Sequence, residues 1–174
     1  MILINIGSNM SSIHGDRFYN LNKSISLILF EQIKIIKISS IYETPSYPNK
    51  QYPSFLNVSL LINSELTASN LLKKIKKIEK KIERYKGPKN KPRTCDIDLI
   101  DYDGKILNTK KLIIPHPKAH LRNFVLFPIK EISPKWIHPI LNKRIDFLIK
   151  KLGFKLRNEI TRIKEHVIID RWLI

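Results

Sequence analysis

The sequence predicts an α+β domain of the ferredoxin-like, split-βαβ class, in which helices pack on one face of an antiparallel sheet. Three observations predict it: strand-like apolar runs, helical periodicity in two stretches between them, and the resulting order β-α-β-β-α-β. The 174 residues fit one domain by length, and 43% apolar residues suffice for a core. We therefore expect a single domain over residues 1–174.

The first half of the chain contains three predicted strands and one helix. An apolar run at 2–6 stops at a Gly-Ser-Asn turn cluster, and Asp16 is placed to cap a helix. The β-branched stretch 33–42 predicts one continuous strand, and 55–63 predicts the next. Three prolines exclude a regular element over 44–53, and so long a loop in a compact domain is often functional. The apolar residues of the helix recur at helical spacing: Phe18, Leu21, Ile25 and Ile28.

A second helix, a lid-like loop and the fourth strand follow. Thr67 is expected to cap a helix that a Gly- and Pro-containing loop at 86–92 ends. Residues 94–102 are predicted as a strand that turns at Asp103-Gly104 into a hairpin over 105–107. The apolar face of the helix carries Leu71, Leu72, Ile75, Ile78 and Ile82. The remaining predicted elements are an extended segment at 113–117, short helices near 121–131 and at 144–152, and a tail at 153–174.

The composition is strongly basic, with 32 Lys and Arg against 15 Asp and Glu and a net charge of +17. The lysines are spread along the chain and lack the interleaved aromatic residues of a base-stacking surface. We therefore interpret the charge as the compositional drift of an AT-rich genome rather than as a nucleic-acid site. A positive field would still favour a polyanionic ligand.

The expected compartment is the cytoplasm. Cys95 is the single cysteine, so no intrachain disulfide can form, which fits a reducing environment. No apolar run approaches the roughly 18 residues needed to span a bilayer, and the N-terminal run is predicted as a strand rather than a signal peptide.

Two acidic residues in the fourth strand carry the most specific chemical pattern. Residues two apart in a strand point to the same face, so Asp96 and Asp98 are expected side by side while Ile97 faces the core. Adjacent carboxylates repel unless a cation lies between them, and Mg²⁺ prefers one or two carboxylates completed by phosphate oxygens and water. Such a pair favours two-metal phosphoryl transfer, and Arg93 is suited to neutralising the transferred group.

A second cluster lies further along the chain, where Lys111, His116 and Arg122 form a plausible triphosphate clamp. His116 stands between two prolines, although a lone histidine is more often structural. Glu79 and Arg84 lie at the end of the basic helix, where Glu79 alone reads as a solvated residue. The chain lacks a P-loop and the usual zinc motifs.

Six segments in order give a resemblance to a known family, 6-hydroxymethyl-7,8-dihydropterin pyrophosphokinase of folate biosynthesis. They are IGSN at 6–9, SSIYETP at 39–45, FLN at 55–57, IE at 78–79 with Arg84, PRTCDIDLI at 92–100, and PH at 115–116 with RNFVLFP at 122–128. The resemblance covers about residues 1–150 and leaves 153–174 as a C-terminal extension of a single catalytic domain. The sequence departs from the family pattern at Phe55, Lys91 and Pro117, and the loop before Arg93 is one residue short.

The resemblance implies ATP-dependent transfer of a pyrophosphoryl group to the hydroxymethyl oxygen of 6-hydroxymethyl-7,8-dihydropterin, with release of AMP. It implies two Mg²⁺ ions as cofactors, held by Asp96 and Asp98, and catalytic roles for these two residues and for Arg84 and Arg93. The implied ATP-binding residues are Lys76, Glu79, Arg84, Arg93, Lys111, His116 and Arg122. The implied pterin-binding residues are Thr44, Pro45, Tyr47, Phe55, Asn57 and Phe124, with the ring between the two phenylalanines.

Two alternatives remain at this level. The charge suggests an RNA-binding module on a ferredoxin-like sheet, but such a sheet exposes aromatic residues where this chain has Asp96 and Asp98. A degenerate pyrophosphokinase kept for another role is disfavoured because these carboxylates and both arginines are intact. We expect a monomer whose partners are ATP and the pterin, without a specific nucleic acid or a membrane.

Overall fold

The computed structural model describes residues 1–83 and 91–168. The strands are β1 (Ile2–Ser8), β2 (Lys34–Ile38), β3 (Tyr42–Thr44), β4 (Phe55–Asn63), β5 (Asp96–Tyr102), β6 (Leu107–Asn108), β7 (Ile113–Ile114), β8 (Ile137–His138), β9 (Lys143–Arg144) and β10 (Thr161–Arg162). The helices are α1 (Arg17–Phe30), α2 (Ala68–Lys81), α3 (Asn123–Ile132), α4 (Ile145–Lys151) and α5 (Phe154–Asn158), with a 3-10 turn at Ala119–Leu121.

One antiparallel sheet organises the molecule. Its strand order is β10-β3-β4-β1-β5, and β2 also pairs with β4, beside the end of β4 that β3 leaves unpaired. Strand β1 lies at the centre between β4 and β5, and all seven of its residues are buried. A continuous apolar run without alternation is typical of a strand covered on both faces, and here both faces are covered.

Helices pack on both faces of this sheet, not on one face as the sequence suggested. Helices α1 and α2 cover the face that carries Ile4 and Ile6, whereas α3 and α4 cover the face that carries Leu3 and Ile100. The pattern of the first two helices alone could not reveal the second layer. Leu3 of β1 and Ile100 of β5 lie on that opposite face and require the second layer, because an uncovered face would expose them to water.

The two predicted helix caps are present. The Asp16 carboxylate accepts a hydrogen bond from the Tyr19 amide at 2.8 Å, and the Thr67 hydroxyl accepts one from the Asn70 amide at 3.3 Å. Each side chain satisfies an amide that the first turn of a helix leaves without a partner. Helices α1 and α2 therefore begin one residue after the capping positions identified in the sequence.

Two predictions about the strands were wrong. The stretch 33–42 does not form one strand: β2 ends at Ile38 and β3 begins at Tyr42. Between them the Ser39 hydroxyl accepts a hydrogen bond from the Ser59 amide at 2.9 Å. The turn at Asp103-Gly104 exists, with positive φ at both residues, but β6 pairs with β7 instead of returning along β5. Local turn chemistry fixed the turn and could not specify the partner strand.

The described residues after α4 return to the main sheet. After α5, β10 adds to the outer edge of β3, and Ile163 and Val167 pack against the larger core. The sequence had left this part of the tail without an assignment. Among the described residues, no helix has both the length and the apolar character needed to cross a bilayer.

Candidate active site

Polar side chains share one face of the sheet at the end where β1 reaches Gly7. Strand register places Asp98 beside Asn5 and Asp96 beside Gly7. Ile97 and Leu99 face the opposite side and are buried in the larger core. Asp96 and Asp98 are thus neighbours on a partly exposed face, directly beyond the buried apolar residues that α3 and α4 cover.

Each of these two carboxylates is paired with an arginine from a different part of the chain. Arg93 Nη1 donates to Asp96 Oδ2 at 2.6 Å, and Arg122 Nη1 donates to Asp98 Oδ2 at 3.1 Å. All four side chains are between 24% and 27% exposed. The arrangement holds two cations next to two anions at the surface, where incoming phosphate oxygens and metal ions can exchange partners with them.

His116 lies beside the second pair. Its amide donates to the Ile100 carbonyl at 2.9 Å, and its Nε2 lies 3.8 Å from Asp98 Oδ2 and 3.4 Å from Arg122 Nη1. Burial lowers the pKa of His116, although the Asp98 carboxylate acts in the opposite direction. The ring is therefore neutral at neutral pH, and Arg122 is the cation that balances Asp98.

Gly7 allows two pterin-binding candidates, Phe55 and Asn57, to approach the backbone of β1 closely. A side-chain carbon at Gly7 would lie 3.2 Å from the Asn57 carbonyl oxygen Oδ1 and 3.5 Å from the Phe55 ring. Asn57 Nδ2 donates to Thr44 Oγ1 at 3.1 Å, which fixes the amide. Because Gly7 pairs with Asp96 on one side and Asn57 on the other, these candidates adjoin the acidic pair across one strand.

Phe124, the other aromatic candidate, stands at the start of α3. The guanidinium carbon of Arg122 lies 5.4 Å from the centre of its ring, which is partly buried. One aromatic face thus contacts the arginine that balances Asp98. A cation over an aromatic ring is attracted by the ring's negative face, so Phe124 also helps to orient that arginine.

Asn9 connects the parts of the site, and the sequence reading did not give it a role. Its side chain, in a residue only 2% exposed, donates to Ser46 Oγ at 3.0 Å and to the Pro53 carbonyl at 3.1 Å. Its Oδ1 accepts the Arg93 amide at 2.8 Å. Asn9 therefore ties the end of β1 to the loop before β4 and to the segment before β5. The sequence signals were its place in the Gly-Ser-Asn turn cluster and in the family segment at 6–9.

Glu79 occupies a different position from a solvated helix residue. It is 3% exposed on α2, and its Oε1 accepts the Ile97 amide at 2.8 Å and a hydrogen bond from Lys76 at 3.0 Å. The carboxylate therefore holds the outer edge of β5 at the residue between Asp96 and Asp98.

Other predicted site residues lie in exposed loops or outside the described part of the chain. Lys111 is exposed in the turn between β6 and β7, where its amide donates to Thr109 Oγ1 at 3.3 Å. Pro45 and Tyr47 are exposed in the loop before β4. Arg84 lies outside the described residues, as does most of the predicted loop at 86–92.

The donor set fits Mg²⁺. Among residues 1–83 and 91–168, no group of three or more His, Cys, Asp or Glu side chains forms a cage for a metal ion. Two adjacent carboxylates on an accessible face match an ion that takes few protein ligands and keeps positions for water and phosphate oxygens. Asp96 and Asp98 are the residues that could hold it.

Comparison with known proteins relates the chain to one family. The model of the 7,8-dihydro-6-hydroxymethylpterin-pyrophosphokinase family matches residues 3–134. The chain is similar to 2-amino-4-hydroxy-6-hydroxymethyldihydropteridine pyrophosphokinase of Aquifex aeolicus, with 38% identity over 142 residues, or 82% of this chain and 86% of the relative. The Bacillus subtilis protein of the same name is 34% identical over 130 residues, or 74% and 75% of the two chains.

Some similar proteins are much longer. The folic acid synthesis protein FOL1 of Dictyostelium discoideum is 37% identical over 142 residues, which are 82% of this chain and 21% of that protein. A crystal structure of Plasmodium falciparum HPPK-DHPS, wild type with pteroate, superposes with a TM-score of 0.69 at 15% identity, over 92% of this chain and 47% of that one. That superposition shows the mixed α+β fold, and the family match over residues 3–134 shows that the chain belongs to the 7,8-dihydro-6-hydroxymethylpterin-pyrophosphokinase family.

Proposed function

We propose that the chain transfers the β,γ-pyrophosphoryl group of ATP to the hydroxymethyl oxygen of 6-hydroxymethyl-7,8-dihydropterin. The hydroxyl oxygen forms a bond to the β-phosphorus, the bond from that phosphorus to the oxygen bridging to the α-phosphate breaks, and AMP leaves as the hydroxyl proton is released. Membership of the family supports this reaction. The observation that carries it is the pair Asp96 and Asp98 on one sheet face, each beside its own arginine.

We assign the metal role to these two carboxylates and propose that they hold two Mg²⁺ ions. When bound, Mg²⁺ would supply Lewis-acid neutralisation of the phosphate oxygens. Arg93 and Arg122 would then transfer hydrogen bonds from the carboxylates to phosphate oxygens, since each already lies within bonding distance of a carboxylate. Charge on the transferring group is thus met by groups already in position, which is the main catalytic requirement of phosphoryl transfer.

The pterin is assigned to the region beside Gly7. Phe55 and Phe124 would stack on the flat ring, because aromatic faces bind planar heterocycles through dispersion and offset stacking. Asn57, fixed by its hydrogen bond to Thr44, would read the ring's polar edge. The close approach of Asn57 and Phe55 to Gly7, where any side chain would press against them, supports this assignment.

The phosphate groups are assigned to the opposite side of the same face. His116 and Arg122 support this because they converge on Asp98 from the segment before α3. Lys76 and Lys111 would approach the nucleotide from the two flanks, and Arg84 would act with Arg93 on the transferred group. Glu79 would contribute indirectly, through the β5 amide that it accepts.

We also propose that the chain is a single catalytic domain with split-βαβ topology and acts as a monomer. The order β5-β1-β4, with β2 and β3 together on the outer side of β4, supports the topology if β2 and β3 count as one interrupted strand. The two cores on opposite faces of the same sheet support one unit.

The test is an AMP-release assay with ATP and Mg²⁺, run with and without 6-hydroxymethyl-7,8-dihydropterin. We expect one AMP per pterin consumed, little AMP without the pterin, and loss of turnover when Mg²⁺ is chelated. Formation of ADP with a monophosphorylated pterin would contradict the proposal, as would AMP release that does not depend on the pterin.

A further inference from the structure

We propose that the C-terminal arm, residues 156–168, positions the loop between β3 and β4 and so sets the affinity of the enzyme for the pterin. This inference rests on the proposed function, which assigns pterin-binding residues to that loop and its flanks. The arm lies beyond residues 3–134, the part of the chain that matches the family model. Its residues are positioning residues, because none of them needs to contact the substrate.

The start of the arm contacts the first turn of α3. Asn123 is 4% exposed, and its Nδ2 donates to the Leu156 carbonyl at 2.6 Å. Its Oδ1 accepts the amide of Phe124 at 2.7 Å. The start of the arm is therefore fixed to the residue that precedes one of the two aromatic pterin candidates.

The arm next contacts the loop directly. Glu159 Oε1 lies 2.5 Å from Lys50 Nζ, and Lys50 is at the middle of the loop. The two side chains are 27% and 50% exposed, so this pair is a modest surface interaction. Its effect is on the position of the loop rather than on the stability of the whole domain.

The arm then adds a strand to the edge that leads into the loop. Thr161 pairs with Glu43 and Arg162 with Tyr42, and the Ile163 amide donates to the Ile41 carbonyl at 3.0 Å. Backbone pairing covers an edge that would otherwise offer unpaired amides and carbonyls. It restrains β3 at Tyr42 and Glu43, next to Thr44, the last residue before the loop.

The far end of the arm contacts the larger core and α1, on the sheet face opposite to α3. Val167 packs against the larger core, and the Ile168 amide donates to Asn22 Oδ1 on α1 at 3.0 Å. The arm is thus held at both ends, by α3 and by α1, with the β3 edge and Lys50 between them. A segment fixed in this way can transmit its position to the loop that it contacts.

Both ends of the loop are already fixed by Asn9, which bonds Ser46 near the start of the loop and the Pro53 carbonyl near its end. The arm adds the second restraint, at Lys50 and β3. A loop that is ordered before binding does not have to be ordered by the ligand, which raises affinity without a new contact. Arg93 and Arg122, the arginines beside Asp96 and Asp98, lie before β5 and before α3 and not in the loop, so the affinity for ATP should change less than the affinity for the pterin.

Three variants test this. Glu159→Gln removes the negative charge that pairs with Lys50, Ile163→Pro removes the amide that bonds Ile41, and Glu165→Gln is the matched control, an exposed glutamate of the same arm. A surface pair corresponds to roughly a 2- to 5-fold change in an equilibrium constant and a lost strand-edge bond to about 10-fold. We expect the KM for the pterin to rise by these factors, with kcat and the KM for ATP within about 2-fold.

The exchanged pair, Lys50→Glu with Glu159→Lys, should restore the KM of the pterin towards that of the unmodified enzyme. Parallel changes in both KM values would mean that the arm only stabilises the fold, and an unchanged pterin KM in the first two variants would equally overturn the inference.

Amide hydrogen exchange at residues 45–54 provides a readout that needs no substrate. Exchange should quicken in Glu159→Gln and Ile163→Pro but not in Glu165→Gln, and equal exchange in all three would overturn the inference. If the unmodified enzyme releases no AMP with the pterin, the proposed function fails, and this measurement still decides whether the arm orders the loop.

Discussion

The substitution Asp98→Asn separates the metal role of the acidic pair from its structural role. It keeps the size of the side chain and removes its charge. In the folded protein Asp98 contacts Arg122 at 3.1 Å, and both side chains are 27% exposed. A partly exposed ion pair of this kind contributes at most about 1 kcal/mol to the free energy of unfolding. For a chain of this length the melting temperature should fall by no more than about 2–4 °C.

The catalytic loss should be far larger. An amide oxygen is a weaker ligand for Mg²⁺ than a carboxylate, and the site loses one of two adjacent anions. We expect kcat to fall by about 1,000-fold or more, which corresponds to roughly 4 kcal/mol in the activation free energy. The effect on catalysis should therefore exceed the effect on stability several times over.

The assay is AMP release at saturating ATP and pterin over a range of Mg²⁺ concentrations, together with thermal unfolding. The matched control is Asp146→Asn on α4, which also removes a surface contact, to Lys130 at 2.6 Å. The control should keep its activity. Near-normal kcat in Asp98→Asn, or a loss of activity explained by unfolding or shared with the control, would refute the metal role of the pair.

Four further substitutions, at Asn9, Glu79 and His138, test contacts of the site and of the fold. Asn9→Ala leaves the Arg93 amide without its acceptor and should lower the free energy of unfolding by about 2–4 kcal/mol in urea titrations, whereas a loss below about 0.5 kcal/mol would contradict the connecting role. In Glu79→Gln the side chain still accepts the Ile97 amide, so most activity should remain. In Glu79→Ala this bond is lost, so Asp96 and Asp98 should shift and kcat should fall. Equal kcat in both variants would count against a positioning role for Glu79. Burial lowers the pKa of His138 below its ordinary value of about 6.5. Below that pH the folded protein therefore binds fewer protons than the unfolded chain. Its free energy of unfolding should decrease as the pH falls from about 6.5 towards the pKa of the folded state. His138→Asn keeps an acceptor for the neighbouring amides and cannot titrate, so urea unfolding at about pH 5 and pH 8 should differ less than in the unmodified protein, and an equal difference would refute this cause.

The local sequence was sufficient for the elements whose signals are local. Asp16 and Thr67 identify the starts of α1 and α2 because capping involves amides only three residues away. The alternation of acidic and apolar residues in β5 places Asp96 and Asp98 on one face, since strand geometry alone fixes that direction. The family motifs added the reaction and its substrates, which no periodicity could supply.

Interactions between distant residues were beyond local reasoning. Glu79 lies on a lysine-rich helix, which predicts an exposed side chain. Its carboxylate is instead buried and accepts the amide of Ile97, 18 residues away. The role of Asn9 likewise requires knowing that residues 46, 53 and 93 meet there. Side-chain amides and carboxylates can satisfy any nearby backbone group, so their partners depend on which segments the fold brings together.

The sequence by itself determined the family, the helix starts and the paired carboxylates on one strand face. Only the tertiary structure decided that each carboxylate has its own arginine, that helices cover both faces of the sheet and that the arm returns to β3. The physical reason is how far apart in the sequence the interacting residues lie. Capping and alternation are set by neighbours within a few residues, whereas pairing across the sheet depends on packing of the whole chain, which brings together residues as much as 146 positions apart.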